Sequence, residues 1–280
     1  MRTLLRNVLL GCVLTMISQP ALAAIGPWVS TDKVRARLVA TAPAADGTVD
    51  SAIEIELAPG WKTYWRSPGD AGVPPNFDFS ASRNALATAV EYPAPIRHDD
   101  GYAASNVYHD RVLLPVRFTV VDPGKPVKLD VRMDIGICEE ICIPVNLQTS
   151  LDVSGPDNDL GAAELVATAR AILPGAGKPG EFELLDLRRV GGTDEKPEFE
   201  ATYAGSGNGK EVLFIETPGD WYAGPPKAVA GSPGALGFRF VADRRTAAGA
   251  IAGSVIRLTL TGESGATSRI FTLDAQDASP

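Results

Sequence analysis

Cys138 and Cys142, in the segment MDIGICEEICIPVN, are the residues of this 280-residue chain whose type and spacing most directly suggest chemistry. Two thiols with three residues between them can form a disulfide that opens and closes, a pair of soft metal ligands, or an inert staple. A disulfide needs Cα atoms about 4.4–6.8 Å apart. A straight strand would hold positions 138 and 142 about 13 Å apart, at ~3.3 Å per residue. A bonded pair therefore demands a turn or a single helical turn at 138–142, interrupting the strand that runs through VRMDI. Gly136 before it and Pro144 after it suit such an interruption. Closing so small a ring constrains the unfolded chain by only roughly 2 kcal/mol, and a chain of this length buries enough core to manage without it. Exchange chemistry is thereby favoured over a staple. Glu139 and Glu140 set negative charge beside both sulfurs, which disfavours a thiolate. That setting suits a disulfide attacked by a partner's thiolate, or a dithiol that passes electrons once docked, and so a relay rather than an isomerase.

The compartment matters to that reading. Arg2 and Arg6, the apolar run Val8 to Ile17 and the Ala21-Leu22-Ala23 site read as a secretory signal over residues 1–23. Cleavage at Cys12 instead, as in a lipoprotein, would leave an apolar tail and waste the Ala-x-Ala site. Removal of residues 1–23 leaves two cysteines in an oxidising compartment, where thiols pair. No later apolar run approaches the ~20 residues of a membrane span. The expectation is an exported, soluble protein without a membrane anchor. The net charge of −8, from 26 Lys and Arg against 34 Asp and Glu, with no basic cluster, argues against nucleic acid and anionic lipid as partners.

The elements that must position the pair are mostly strands. Residues 34–41, 51–57, 112–121, 127–135 and 147–153 alternate apolar and polar side chains and are separated by Pro-Gly and Asp-Gly turns. Strands at this spacing predict a β-sandwich over 24–154. The Ala-rich stretch within 155–180 predicts a helix in a connector, stopped by Pro174-Gly175. Strand patterning resumes at 181–190, 198–204, 211–217, 237–243, 254–262 and 268–274, predicting a second sandwich over 181–276. A faint echo links residues 57–75 to 216–226: each leaves a strand by Pro-Gly and then places Trp before a Gly/Pro-rich turn. GSGNGKE (205–211) lacks the Ser/Thr of a phosphate loop, and its Asn208-Gly209 predicts a hairpin turn. No hydrolase or zinc-protease motif is present and nothing calls for a cofactor.

GWKTYWRSPGDAGVPP (60–75), VEYPAPIRH (90–98), RVLLPVRFTV (111–120) and GICEEICIPVN (136–146) together resemble the N-terminal periplasmic domain of the DsbD/ScsB thiol–disulfide reductases. VLFIETPGDWYAGPP (212–226) and GSVIRLTLT (253–261) resemble the second sandwich of the ScsB-type N-terminal region. The resemblance runs from about Trp28 to Asp274. It implies two immunoglobulin-like sandwiches, all-β apart from the helix-containing linker. It also implies a periplasmic electron relay through Cys138 and Cys142, with Cys142 forming the mixed disulfide. The implied partners are a membrane-embedded DsbD/CcdA-like donor, supplied in trans because this sequence has no membrane or thioredoxin-like segment, and thioredoxin-like periplasmic proteins. The family shields its pair with an aromatic-bearing cap loop. Residues 98–110 are the counterpart, with Tyr102 or Tyr108 as lid, although two tyrosines there also suit a packed corner. Tyr64 and Trp65 either line the same pocket or belong to the core.

ScsB-like proteins are also linked to copper tolerance, and the alternative to a relay is Cu(I) held by Cys138, Cys142, His109 and Met133, with His98 nearby. Against it, Met133 alternates with Val131 and Ile135 as a core residue does, and the histidines sit in a polar loop. A further alternative is a partner-binding module with an inert disulfide.

Overall fold

The structure, a computed structural model, describes residues 23–153, 160–219, 221–230, 236–246 and 249–275. The predicted signal sequence up to Leu22, the start of the linker and Gln276 lie outside these residues.

In chain order, the first unit contributes β1 (Ala23–Ile25), β2 (Val29–Ser30), β3 (Val34–Thr41), β4 (Thr48–Leu57), β5 (Lys62–Gly69), β6 (Asn76–Asp78), β7 (Ala85–Ala87), β8 (Ile96–Asp99), β9 (Ala104–His109), β10 (Arg111–Val120), β11 (Lys128–Cys138) and β12 (Cys142–Asp152). One sheet runs β1-β3-β4-β10-β7, with β2 on β3; the facing sheet runs β12-β11-β5-β9-β8, with β6 on β11. All pairings are antiparallel. Inward-facing residues of the two sheets, among them Leu38, Ile53, Trp65, Phe118, Leu129 and Met133, form one buried core. This is the aligned packing of an immunoglobulin-like sandwich.

Helix α1 (Leu160–Ala171) follows. Its buried Ala162, Val166 and Ala169 recur at helical spacing and pack on Val39, Ala52 and Leu113. The linker helix therefore covers the outer face of the first sheet as well as bridging the units. Arg170 in its last turn pairs with Asp50 at 2.7 Å and Glu91 at 2.9 Å, a placement that also suits the helix dipole.

The second unit is β13 (Glu183–Gly192), β14 (Pro197–Ala204), β15 (Val212–Glu216), β16 (Tyr222–Ala223), β17 (Lys227–Ala230), β18 (Leu236–Asp243), β19 (Val255–Gly262) and β20 (Gly265–Thr272). Its sheets run β13-β14-β18-β16, with β17 on β18, and β15-β19-β20, around a core that includes Leu187, Phe199, Phe240 and Leu258. One expectation is corrected here. Asn208-Gly209 does not turn a hairpin, because β14 and β15 lie in different sheets and the segment crosses between them. Glu211 holds that crossover, accepting from the Ser206 hydroxyl at 2.8 Å and the Gly207 N–H at 3.1 Å.

The two units meet along β5 and β15. The Arg66 guanidinium donates to both carboxylate oxygens of Glu216, at 2.6 and 2.8 Å, and Trp65 meets Phe214 edge-on at 5.9 Å. Arg97 donates to the Leu213 carbonyl at 2.9 Å, and the Tyr222 hydroxyl donates to Asp70. The echoed segments 57–75 and 216–226 thus face each other across the junction. Glu216→Ala should cost about 1–2 kcal/mol in chemical unfolding, because it leaves a half-buried guanidinium without its fork. Lys210→Ala, which breaks the exposed pair with Glu263, should cost close to nothing. Equal losses would show that the Arg66–Glu216 fork does not hold the units together.

Candidate functional site

The disulfide closes a hairpin. β11 ends at Cys138, β12 begins at Cys142, and the two are direct cross-strand partners with Cα atoms 4.1 Å apart. The turn demanded by the spacing is the three-residue apex Glu139-Glu140-Ile141, and the strands continue right up to the sulfurs rather than stopping at Gly136. All three apex side chains are exposed.

Side chains of directly paired residues share a face of the sheet, so register alone assembles the site. One row across the outer face reads His109 on β9, Lys62 on β5, Cys138 on β11 and Cys142 on β12. The neighbouring row is Val107, Tyr64, Gly136 and Pro144. With no side chain on Gly136, the Tyr64 ring lies over that backbone: a Cβ there would sit 3.2 Å from the ring. On the ring's other side Gly72, at φ +119°, comes closer still. Held between these two glycines, the Tyr64 hydroxyl lies 3.1 Å from Cys142 Sγ. Burial, and secondarily the Asp100 charge, push the Tyr64 phenol above its ordinary value, so at neutral pH it is a protonated donor directed at the sulfur.

The two sulfurs are not equivalent. Cys142 is exposed, whereas Cys138 is 6% exposed and packs with Tyr64 and Val107. Beside Cys142 opens a groove of about 480 Å³, walled by Tyr64, Val73, Pro74 and Ile143 and floored by Gly136 and Pro144. Its lining is mostly apolar, with Asp134 and Asn146 at one end.

A cation stands at the other side of the pair. Lys62 Nζ donates to the Glu139 carbonyl and to His98 Nε2, each at 3.3 Å. The His98 and His109 rings are 5.6 Å apart. Burial and then the neighbouring His98 and Lys62 charges hold the His109 imidazole below its usual range. Lys62 carried no weight in the sequence reading, because its contact with the hairpin depends on strands 76 positions apart in the chain. The Trp-Lys-Thr-Tyr alternation, which puts Lys62 and Tyr64 on one face, was the available signal.

The remaining candidates separate by parity. Tyr108 is one residue out of step with Val107 and His109, so it points into the sandwich core, where its hydroxyl donates to the Pro93 carbonyl at 2.7 Å. It is a packed core residue and not a lid. Tyr102 is 99% exposed in the turn between β8 and β9, whose backbone is held by Asp99 and Asp100. The expected cap loop 98–110 is thus largely a hairpin paired to β5. Met133 is fully buried among core residues on the opposite face of β11 from Cys138, which removes it from any Cu(I) site with the cysteines. Trp65 is core and Tyr64 is at the sulfur, so the two aromatics divide between the roles considered for them. Among the described residues, no three His, Cys, Asp or Glu side chains cluster as metal ligands.

Residues 33–154 match the family described as thiol:disulfide interchange protein DsbD, N-terminal. The N-terminal periplasmic domain of ScsB from Proteus mirabilis is similar along almost the whole length, with a TM-score of 0.69 at 20% identity, covering 91% of this chain and 99% of that one. At this identity the likeness concerns the fold, and it spans both sandwiches. The reduced DsbD N-terminal domain of Neisseria meningitidis is 22% identical over 41% of this chain and 81% of its own, with a TM-score of 0.26. The DsbD N-terminal domain in complex with the PilB N-terminal domain, from the same organism, is 19% identical over 43% of this chain and 84% of its own, with a TM-score of 0.25. No curated protein matches the chain. Among the described residues, no helix is long and apolar enough to cross a membrane.

Proposed function

We propose that the protein is a periplasmic thiol–disulfide relay that accepts electrons at Cys142 from a membrane-embedded DsbD/CcdA-like donor and passes them to thioredoxin-like proteins. The observation that carries this reading is the asymmetry of the pair: an exposed Cys142 under a hydroxyl donor, opening onto an apolar groove, with its partner sulfur buried. A donor thiolate attacks Cys142 Sγ, the Cys138–Cys142 bond breaks, and its electron pair goes to Cys138 Sγ. A second donor thiol then attacks the donor's own sulfur in the mixed disulfide and releases Cys142. The chain is left as a dithiol carrying two electrons, and the two protons it gains balance those that the donor's two thiols give up. Oxidation by a downstream disulfide is the same sequence reversed, with Cys142 attacking and Cys138 resolving. The groove receives the backbone and apolar side chains that flank the partner's cysteine.

Under this reading the mature chain begins at Ala24, the sandwich of 24–154 does the exchange, residues 155–180 link, and the sandwich of 181–276 holds the first in place. Equilibration of the mature protein with glutathione or dithiothreitol buffers tests it. A reduction potential between about −180 and −270 mV belongs to exchanging disulfides. A value well below about −300 mV marks a structural bond and would replace the relay by a binding module with an inert disulfide.

A further inference from the structure

Lys62 has a charge with no opposite number. Its residue is 9% exposed, and among the described residues no carboxylate lies within ion-pair distance of Nζ. Its hydrogen-bond partners are the Glu139 carbonyl and the His98 ring, neither of them an anion. Burying an ammonium without an anion is costly. The feature next to it is the disulfide. Lys62 is the cross-strand partner of Cys138, and its Nζ reaches the same Glu139 carbonyl oxygen that Cys138 Sγ faces at 4.0 Å. The other charged or titratable groups around Lys62 are His98 on β8, His109 on β9, Asp100 in the β8–β9 turn, Tyr64 on its own strand and Glu139, which is exposed at the apex.

We infer that Lys62 is the counter-ion of the Cys138 thiolate formed when a partner opens the disulfide, an inference that rests on the exchange reading above and adds a charged residue to it. In that step the attacking thiolate loses its charge in forming a bond to Cys142 Sγ, and the electron pair of the broken bond becomes the negative charge on Cys138 Sγ. No proton is consumed. The charge moves from the partner's sulfur to a sulfur out of reach of bulk water, and the ammonium is already in place for it. The acidic apex is thus offset from within, and the buried sulfur leaves more readily with Lys62 as its cross-strand neighbour.

The test compares the mature chain with its Lys62→Met and Lys62→Arg variants, each reduced by dithiothreitol at neutral pH and followed by the appearance of free thiol. A cation within about 4–6 Å lowers the pKa of a leaving thiol by about one to two units. Taking the leaving thiol to be as sensitive as the attacking one, whose coefficient is about 0.4–0.5, its loss slows the step by about three- to tenfold. Lys62→Met should show that slowing, and Lys62→Arg should stay within about twofold of the wild type. A role in packing alone predicts no such split between two long side chains that differ in charge. Lys62→Gln, a shorter neutral side chain, replaces Lys62→Met if the latter does not fold, with the same expected slowing. Wild-type rates in a folded Met or Gln variant would overturn the counter-ion while leaving the relay intact. A wild-type disulfide that resists dithiothreitol altogether would overturn both.

Discussion

Replacing Cys138 by serine should turn the protein into a trap, whereas replacing Cys142 should leave it nearly inert. In Cys138→Ser the remaining sulfur is the exposed one, beside the groove and under the Tyr64 hydroxyl. A mixed disulfide formed there has no resolving thiol in the chain and accumulates. In Cys142→Ser the surviving sulfur is 6% exposed beneath Tyr64 and Val107, and a partner's disulfide cannot align with it without opening the sheet. Because exchange rates follow access as well as thiolate content, the two variants should differ by at least about tenfold in their rate of reaction with an aromatic disulfide. The release of its coloured thiol gives that rate directly. The same order should hold for capture of a thioredoxin-like partner on a non-reducing gel. Equal rates, or the reverse order, would move the point of attack to Cys138 and remove the observation on which the proposed function stands.

Much of this arrangement is visible in the residues, and what is not has a common physical cause. The alternation of VRARLVAT marks β3 to the residue, and a five-residue Cys-to-Cys segment can only bond as a turn. The strands β5 and β9 are harder to see. KTYWRSPG carries two charges and a proline, and its outer face is covered by the 70–75 segment, so both parities are buried over its first half. ASNVYH is likewise buried on both sides, and a strand covered on both faces loses the period of two that reveals it. With β9 hidden, the parity that sends Tyr108 inward is hidden too, and the segment reads as the cap loop that the resemblance implies. Met133 shows the opposite case. Its alternation with Val131 and Ile135 was legible, and it pointed to the core position that the structure has. The Lys62–Cys138 relation is of another kind: it exists only through the register of β5 on β11, which no local pattern encodes.

The second sandwich enters the site through three consecutive residues of β5. Tyr64 faces the sulfur, Trp65 enters the core and meets Phe214, and Arg66 forks onto Glu216. A few residues on, Asp70 accepts from the Tyr222 hydroxyl and from the Ala104 N–H at 3.1 Å. The chain then runs directly into Gly72, Val73 and Pro74, which wall the groove. The segment that shapes the site is thus tied to the second unit at Arg66 and at Asp70. Under the proposed function, that unit would take part in exchange without contributing a sulfur, by holding the segment against which Tyr64 rests.

The tightest point of that wall is Gly72, and Gly72→Ala should be the most damaging single-methyl change near the site. The residue sits at φ +119°, where a side chain is strained, and a Cβ would lie 2.3 Å from the Tyr64 ring. Strain of about 1–3 kcal/mol and a clash of about 1–3 kcal/mol together predict a loss of about 2–6 kcal/mol. A ring pushed by that Cβ must shift, taking its hydroxyl away from its place at Cys142. Gly47→Ala separates the two contributions, because Gly47 also has positive φ, +80°, but nothing lies within 4 Å of its added Cβ. That variant should lose only about 1–2 kcal/mol in urea unfolding and keep the wild-type rate of disulfide exchange. Gly72→Ala should lose more and also change the exchange rate at Cys142. If the two alanine variants unfold alike and exchange alike, the wall does not press on Tyr64, and the hydroxyl's position over the sulfur must be set by the strand alone.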